Sequence, residues 1–540
     1  MIIYSGEITL LMTQRIMIRP TYPFLILSLL LTACGRTEET YFPIPITQPG
    51  TATNPGNGTA TQPGNGTPPG TTQPQPGQPS INNPGNVGGS GSTWTSVFNP
   101  TLPGAPAAPL VPRLVVLGNS RVRVGIDLVA GGAITFLTDG QKGENMINNF
   151  DLGRQLQTSL YSGPIPYVQN GKQPMYVWRN LGWNPVQTGD VHNNPAQVVG
   201  YQQLDNTRLY VKTIPLIWPL LNETAECVME HWLELRDNVV HVRSRTQINR
   251  RDTTQYEART QEAPCAYLNG PYSQIITYSG NQPFTGGAVT NASAEKDLIT
   301  RHATENWTAL LNKDGRGVGL HVPNQYRFVT GFLGTSTTGT EYDDPTAYEA
   351  ATPLIVMDHN GVYEFEYNLI IGTVADIRTF VYAQPRPITI PDYRFTNDRM
   401  GWHYYNTIDT GWPIRNELAV RWGRVDFDKA TFGIKSPRVF WRANTIPKLY
   451  VQAAFTTTAN TARFSWQKPG DPDFIPYPDR VMDFPIIGDG QMRTYEIDLS
   501  NRAGWDGIIQ QIQFEASPGE YGANEKSRMF RLKSLTALRP

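Results

Sequence analysis

The stretch from Cys227 to Ile248 constrains the fold most. Cys227–Leu235 and Val239–Ile248 are apolar-rich runs on either side of the turn signal Arg236-Asp237-Asn238, and together they predict an antiparallel hairpin. In the second run Val240 and Val242 share one parity, while His241, Arg243 and Arg245 share the other. Successive side chains of a strand point to opposite faces, so this strand buries one face and presents a cationic one. Tyr363–Gly372 divides in the same way, with Glu364, Glu366 and Asn368 on its polar parity. Ser120–Asp127 alternates as well, and Gly131-Gly132 turns the chain into Ala133–Leu137. No helical period of useful length intervenes, so residues 113–390 predict one large antiparallel β-sandwich.

Two readings fit the polar strand faces. One is a solvated surface. The other is a concave cleft in which cations and carboxylates converge on a polyhydroxy ligand. Further polar groups lie nearby in sequence: Asn149, Asp151 and Arg154 in one segment, Arg259, Gln261 and Glu262 in another. An acid and a base on opposite sides of a sugar ring is what proton transfer at an anomeric centre, or next to a carboxylate, requires. On this reading His241, Arg259 and Glu262 act as acid, anion clamp and base, and Asn149, Arg154, Arg243 and Glu366 bind the sugar.

After Pro385, Pro387 and Pro391 the sequence restarts as short strand-like runs carrying Trp402, Trp412, Trp422, Trp441, Trp466 and Trp505. Residues 391–540 therefore predict a second, smaller β-sandwich. Flat indole rings stack on sugar CH faces, and Trp412 and Trp466, in loop-like surroundings, are the candidates for exposure.

The N-terminal end is of another kind. Arg15 and Arg19 precede the apolar run Phe24–Leu31, the pattern of an export signal over residues 1–34. Residues 35–112 then collapse, mostly to Pro, Gly, Thr, Asn, Gln and Ser, a composition with too little to bury to offset the entropy of ordering. Such a tether reaches on the order of 40–50 Å. The formal charge is −1, with no basic excess to suit a nucleic acid. Besides Cys34 there are only Cys227 and Cys265, readable as a disulfide or as two separate buried thiols. The chain has no Walker loop, HExxH or dinucleotide fingerprint after a strand.

Three resemblances extend this reading. Leu31-Thr32-Ala33-Cys34 resembles a bacterial lipobox, which implies lipidation at Cys34, and Glu38-Glu39 resembles the acidic export signal of surface-exposed lipoproteins. These imply an outer-membrane protein, lipid-anchored and facing out. VRVGIDLVAGGAITFL, NNFDLGRQ, GVGLHVPN and EFEYNLIIGT resemble galactose mutarotase-like β-supersandwich domains. That fold binds carbohydrate and is shared by sugar epimerases, glycoside hydrolases, polysaccharide lyases and domains without catalysis. LYVQAAF, ARFSWQ and GWDGIIQQIQFEASPG resemble jelly-roll modules of carbohydrate-active proteins, which implies sugar binding and allows a structural Ca²⁺, with Asp498 its candidate ligand. No other cofactor is expected. The alternative is a non-catalytic structural or adhesive lipoprotein.

Overall fold

The computed structural model describes residues 113–293, 297–421, 423, 425–426, 432–471, 474, 478–516 and 528–540. Cys34, the tract 35–112 and Trp422 lie outside them.

The expected hairpin forms over Cys227–Arg236 and Val239–Ile248, with Asp237 in the left-handed region at φ 52°. It lies within a nine-stranded antiparallel sheet. Val362–Gly372 pairs with Val239–Ile248 from Val239↔Ile370 to Gln247↔Val362, in the register His241↔Asn368, Arg243↔Glu366 and Arg245↔Glu364. A seven-stranded antiparallel sheet, which includes Glu262–Asn269 and Thr346–Ala351, packs against it. The core between them takes Val240, Val242, Phe365 and Leu369 from the first sheet and Ala266, Leu268, Phe328 and Ala347 from the second. Period-two alternation therefore sends His241, Arg243, Glu364 and Glu366 to the outer face of the nine-stranded sheet.

One α-helix, Val374–Ala383, is present among the described residues, where no helix was expected. Its signal is short: Thr373 and Asp376 form a capping box, with the Thr373 side chain accepting from the Asp376 amide and the Asp376 carboxylate accepting from the Thr373 amide. Only Ile377 and Val381 are buried, packed with Trp307, Ala309 and Ile370 on one flank of the nine-stranded sheet. The helix comes so close that a Cβ on Gly319 would stand 2.7 Å from the Ile377 side chain.

Residues 392–536 form two five-stranded sheets around a second core of Trp402, Trp441, Trp466, Trp505, Phe464, Phe514 and Phe530. Trp466 is thus not the exposed ring expected. It is 1% exposed, packs edge-on to Trp505 at 5.3 Å, and donates Nε1–H to Gly504 O at 2.9 Å. Trp412 is half-buried at the seam between the sandwiches, where its Nε1–H donates to His359 O at 2.9 Å. Beside it Arg399 donates to Asp358 and to Asp409, both at 2.7 Å, with Arg399 and Asp358 buried. Val356 and Ala258, which precede this sandwich by many residues, pack into its core.

Candidate functional site

The outer face of the nine-stranded sheet carries a continuous polar ladder. Arg245 reaches Glu230 at 2.6 Å and Glu364 at 3.2 Å, and Arg243 reaches Glu364 at 3.1 Å. The Arg243 guanidinium lies 5.1 Å over the Trp232 ring, which packs on Tyr210, and the Tyr210 hydroxyl donates to Glu230 at 2.8 Å. Cross-strand pairs of this kind hold a sheet in register.

At one end of the ladder His241 is oriented by a chain of amide and imidazole groups. Asn368 Oδ1 lies 2.7 Å from His241 Nδ1, and Asn368 Nδ2 lies 3.2 Å from His321 Nδ1. The amide nitrogen can only donate and its oxygen only accept, so His241 carries its proton on Nδ1 and His321 accepts at Nδ1. Burial lowers the His241 pKa to about 4, against the bond that its Nδ1–H donates to Asn368, and lowers that of His321 to about 3. Both rings are neutral at pH 7. His241 Nε2 then faces Glu366 Oε2 at 3.9 Å.

Glu366 differs from the rest of the ladder. Its side chain is 21% exposed, yet none of the described residues donates a hydrogen bond to its carboxylate. Burial raises its pKa, Arg243 opposes the shift, and Glu364 adds to it. The group is a carboxylate held partly out of water with its acceptor sites uncommitted.

The sandwich brings together His241, Arg243 and Glu366, but not the catalytic trio. Glu262 lies on the outer face of the seven-stranded sheet, because Ala263 and Ala266 occupy the core side. Stacked sheets are about 10 Å apart, so His241 and Glu262 point away from each other across the whole core. Both Glu262 oxygens accept tyrosine hydroxyls, from Tyr348 at 2.6 Å and Tyr161 at 3.0 Å. Arg259 clamps backbone instead of an anion: its guanidinium donates to Leu181 O, Asn180 O and Ser162 O, tying down both ends of the 162–181 loop. Arg154 is buried on the Phe150 ring and paired with Asp344 at 2.7 Å, with Asp151 3.5 Å away. Burial lifts the Asp151 pKa to about 6, opposed by Arg154. Asn149 donates to Thr135 O at 2.8 Å. These donors hold loops to the sheet.

Cys227 and Cys265 are both buried free thiols, so of the two readings the separate thiols hold and the disulfide does not. Cys227 lies in the nine-stranded sheet among Trp183, Met229 and Ile248, while Cys265 belongs to the seven-stranded sheet, with its Sγ 3.6 Å from Gln157 O. Asp498 is exposed and caps the Ser500 amide at 3.0 Å, with Lys448 4.0 Å away. Sequence reasoning missed Trp232, Tyr210 and His321. The signal for Trp232 was present, since Glu230, Trp232 and Glu234 share one parity of their strand.

No family model matches this chain, and no curated protein matches it. Among solved structures it is similar to a putative aldose 1-epimerase from Escherichia coli K12, at 9% identity and TM-score 0.31, over 48% of this chain and 98% of that one. It is also similar to a galactose mutarotase-like protein from Lactobacillus casei, at 11% identity and TM-score 0.32, over 48% and 99%. A third is the alpha-galactosidase from Lactobacillus brevis, at 9% identity and TM-score 0.29, over 48% and 39%.

Proposed function

We propose that this chain binds carbohydrate on the outer face of the nine-stranded sheet, through His241, Arg243, Glu366 and Asn368. The observation that carries the reading is Glu366. A half-desolvated carboxylate without donors is costly, and ligand hydroxyls supply donors to it. The surrounding arginines and glutamates largely neutralise one another, which suits a neutral polyhydroxy ligand better than a phosphate.

Around this site we place the finer parts of the reading: a lipid anchor at Cys34 in the outer membrane, an extended tether, and a C-terminal sandwich of the jelly-roll type. Replacing Cys34 by alanine is expected to release the protein from the membrane fraction. Retention there would overturn the anchor.

A glycan array on the full chain, followed by calorimetry on the best ligand, tests the binding site. Glu366→Ala is expected to weaken that ligand at least tenfold, as loss of hydrogen bonds to a charged acceptor, each about 1.5–3 kcal/mol, requires. Unchanged affinity in the variant sinks the site. Product formation on the array would favour a hydrolase, lyase or epimerase, and silence across it would favour a structural or adhesive protein.

A further inference from the structure

A groove of about 480 Å³ runs between the Ala443–Pro447 turn and the Leu499–Ile508 loop of the C-terminal sandwich, with Asn281 of the first sandwich at one end. Arg442 Nη2 donates to Asn281 O at 2.9 Å and holds that end in place. Ala443, Leu499, Trp505 and Ile508 make an apolar floor, all of them buried. The Trp505 ring is fixed by its Nε1–H bond to Ile446 O at 2.9 Å.

The walls are polar and exposed: Asn281, Asn444, Ser500 and Asp506. The side-chain amides of Asn281 and Asn444 bond to none of the described residues. Asp506 is paired with Lys468, and Arg442 donates to the neutral Asn281 carbonyl. The groove thus combines an apolar floor with two uncommitted side-chain amides, each with donors and an acceptor, in its walls. The volume falls in the range of about 300–1,000 Å³ typical of small-molecule sites.

We infer that this groove is a separate binding site for a short neutral oligosaccharide. The sugar's CH face lies on the floor, and its hydroxyl rim meets the two amides. A peptide added as a strand is disfavoured, because the adjacent backbone is occupied: Trp441–Arg442 already pairs with Ile508–Ile509. The inference is independent of the site around Glu366, and variants of each site serve as controls for the other.

The test is hydrogen exchange by mass spectrometry on the full chain with cellobiose, maltose, xylobiose and lactose, each alone. At least one disaccharide is expected to slow exchange in both 443–447 and 499–508. Asn444→Ala and Asn281→Ala, both at exposed positions, are expected to weaken that protection at least tenfold in ligand concentration, while Glu366→Ala leaves it unchanged. Absence of protection by all four sugars overturns the proposal. So does protection that survives both asparagine variants, or that disappears only in Glu366→Ala.

Discussion

Replacing Arg399 by leucine is expected to cost about 3–5 kcal/mol of folding stability, read as a fall in the denaturant midpoint. Arg399 is buried between Asp358 and Asp409, and its guanidinium donates to both. The loss exceeds the worth of either pair, because two carboxylates are left facing each other without a cation. Burial already pushes the Asp358 pKa up, and Arg399 is the main opposing influence. Without it the folded state binds protons more tightly than the unfolded one, so the deficit should shrink as pH falls from 7 to 4. A deficit independent of pH would mean that lost packing, rather than stranded charge, is the cause. A triple variant with Asn at both aspartates should recover most of the loss.

Glu349→Gln is expected to work in the opposite direction. Glu349 is 0% exposed between the two sheets; one oxygen accepts the Thr308 hydroxyl at 2.7 Å and the other has no partner. Burial raises its pKa from 4.5 to about 8, with the Thr308 bond opposing. Below pH 4.5 the carboxyl is protonated in both states and carries no penalty. As pH rises the unfolded chain ionises while the folded one does not, so stability falls until pH passes about 8. At pH 7 the penalty is about 3 kcal/mol, at 1.36 kcal/mol per pKa unit. Glutamine does not titrate, so the variant should gain on the wild type by about that amount between pH 4.5 and 7, measured by urea unfolding. Parallel pH profiles would refute the buried neutral acid.

What could be read from the sequence was local. Alternation in Val240–Arg245 and Tyr363–Asn368 marks which side chains share a face, because parity is a property of the strand itself. That these two runs pair in register, more than a hundred residues apart, follows from sheet order, which alternation does not encode. The same gap explains the catalytic trio. Arg259 and Glu262 are near neighbours in sequence, but only sheet membership reveals that His241 faces the other way. Trp466 misled for a different reason. Lys468 and the loop-like surroundings suggest exposure, yet the residue lies near the end of a strand, Thr461–Gln467, whose inward parity is Ala462, Phe464 and Trp466. The helix at Val374 escaped notice because two buried residues make too short a stripe, although Thr373 and Asp376 announced its start.

The placement of Val356 and Ala258 in the second core bears on how such a protein can be inherited or rebuilt. A recombination point near Pro391 would hand on the C-terminal strands without two of the apolar residues that close their interior, and would leave those residues bare on the parent. Asp358 would go with the parent and Arg399 with the fragment. The heritable unit is therefore the pair of sandwiches, and a graft intended to carry the C-terminal groove to another scaffold would need to take the 255–260 and 353–359 segments with it.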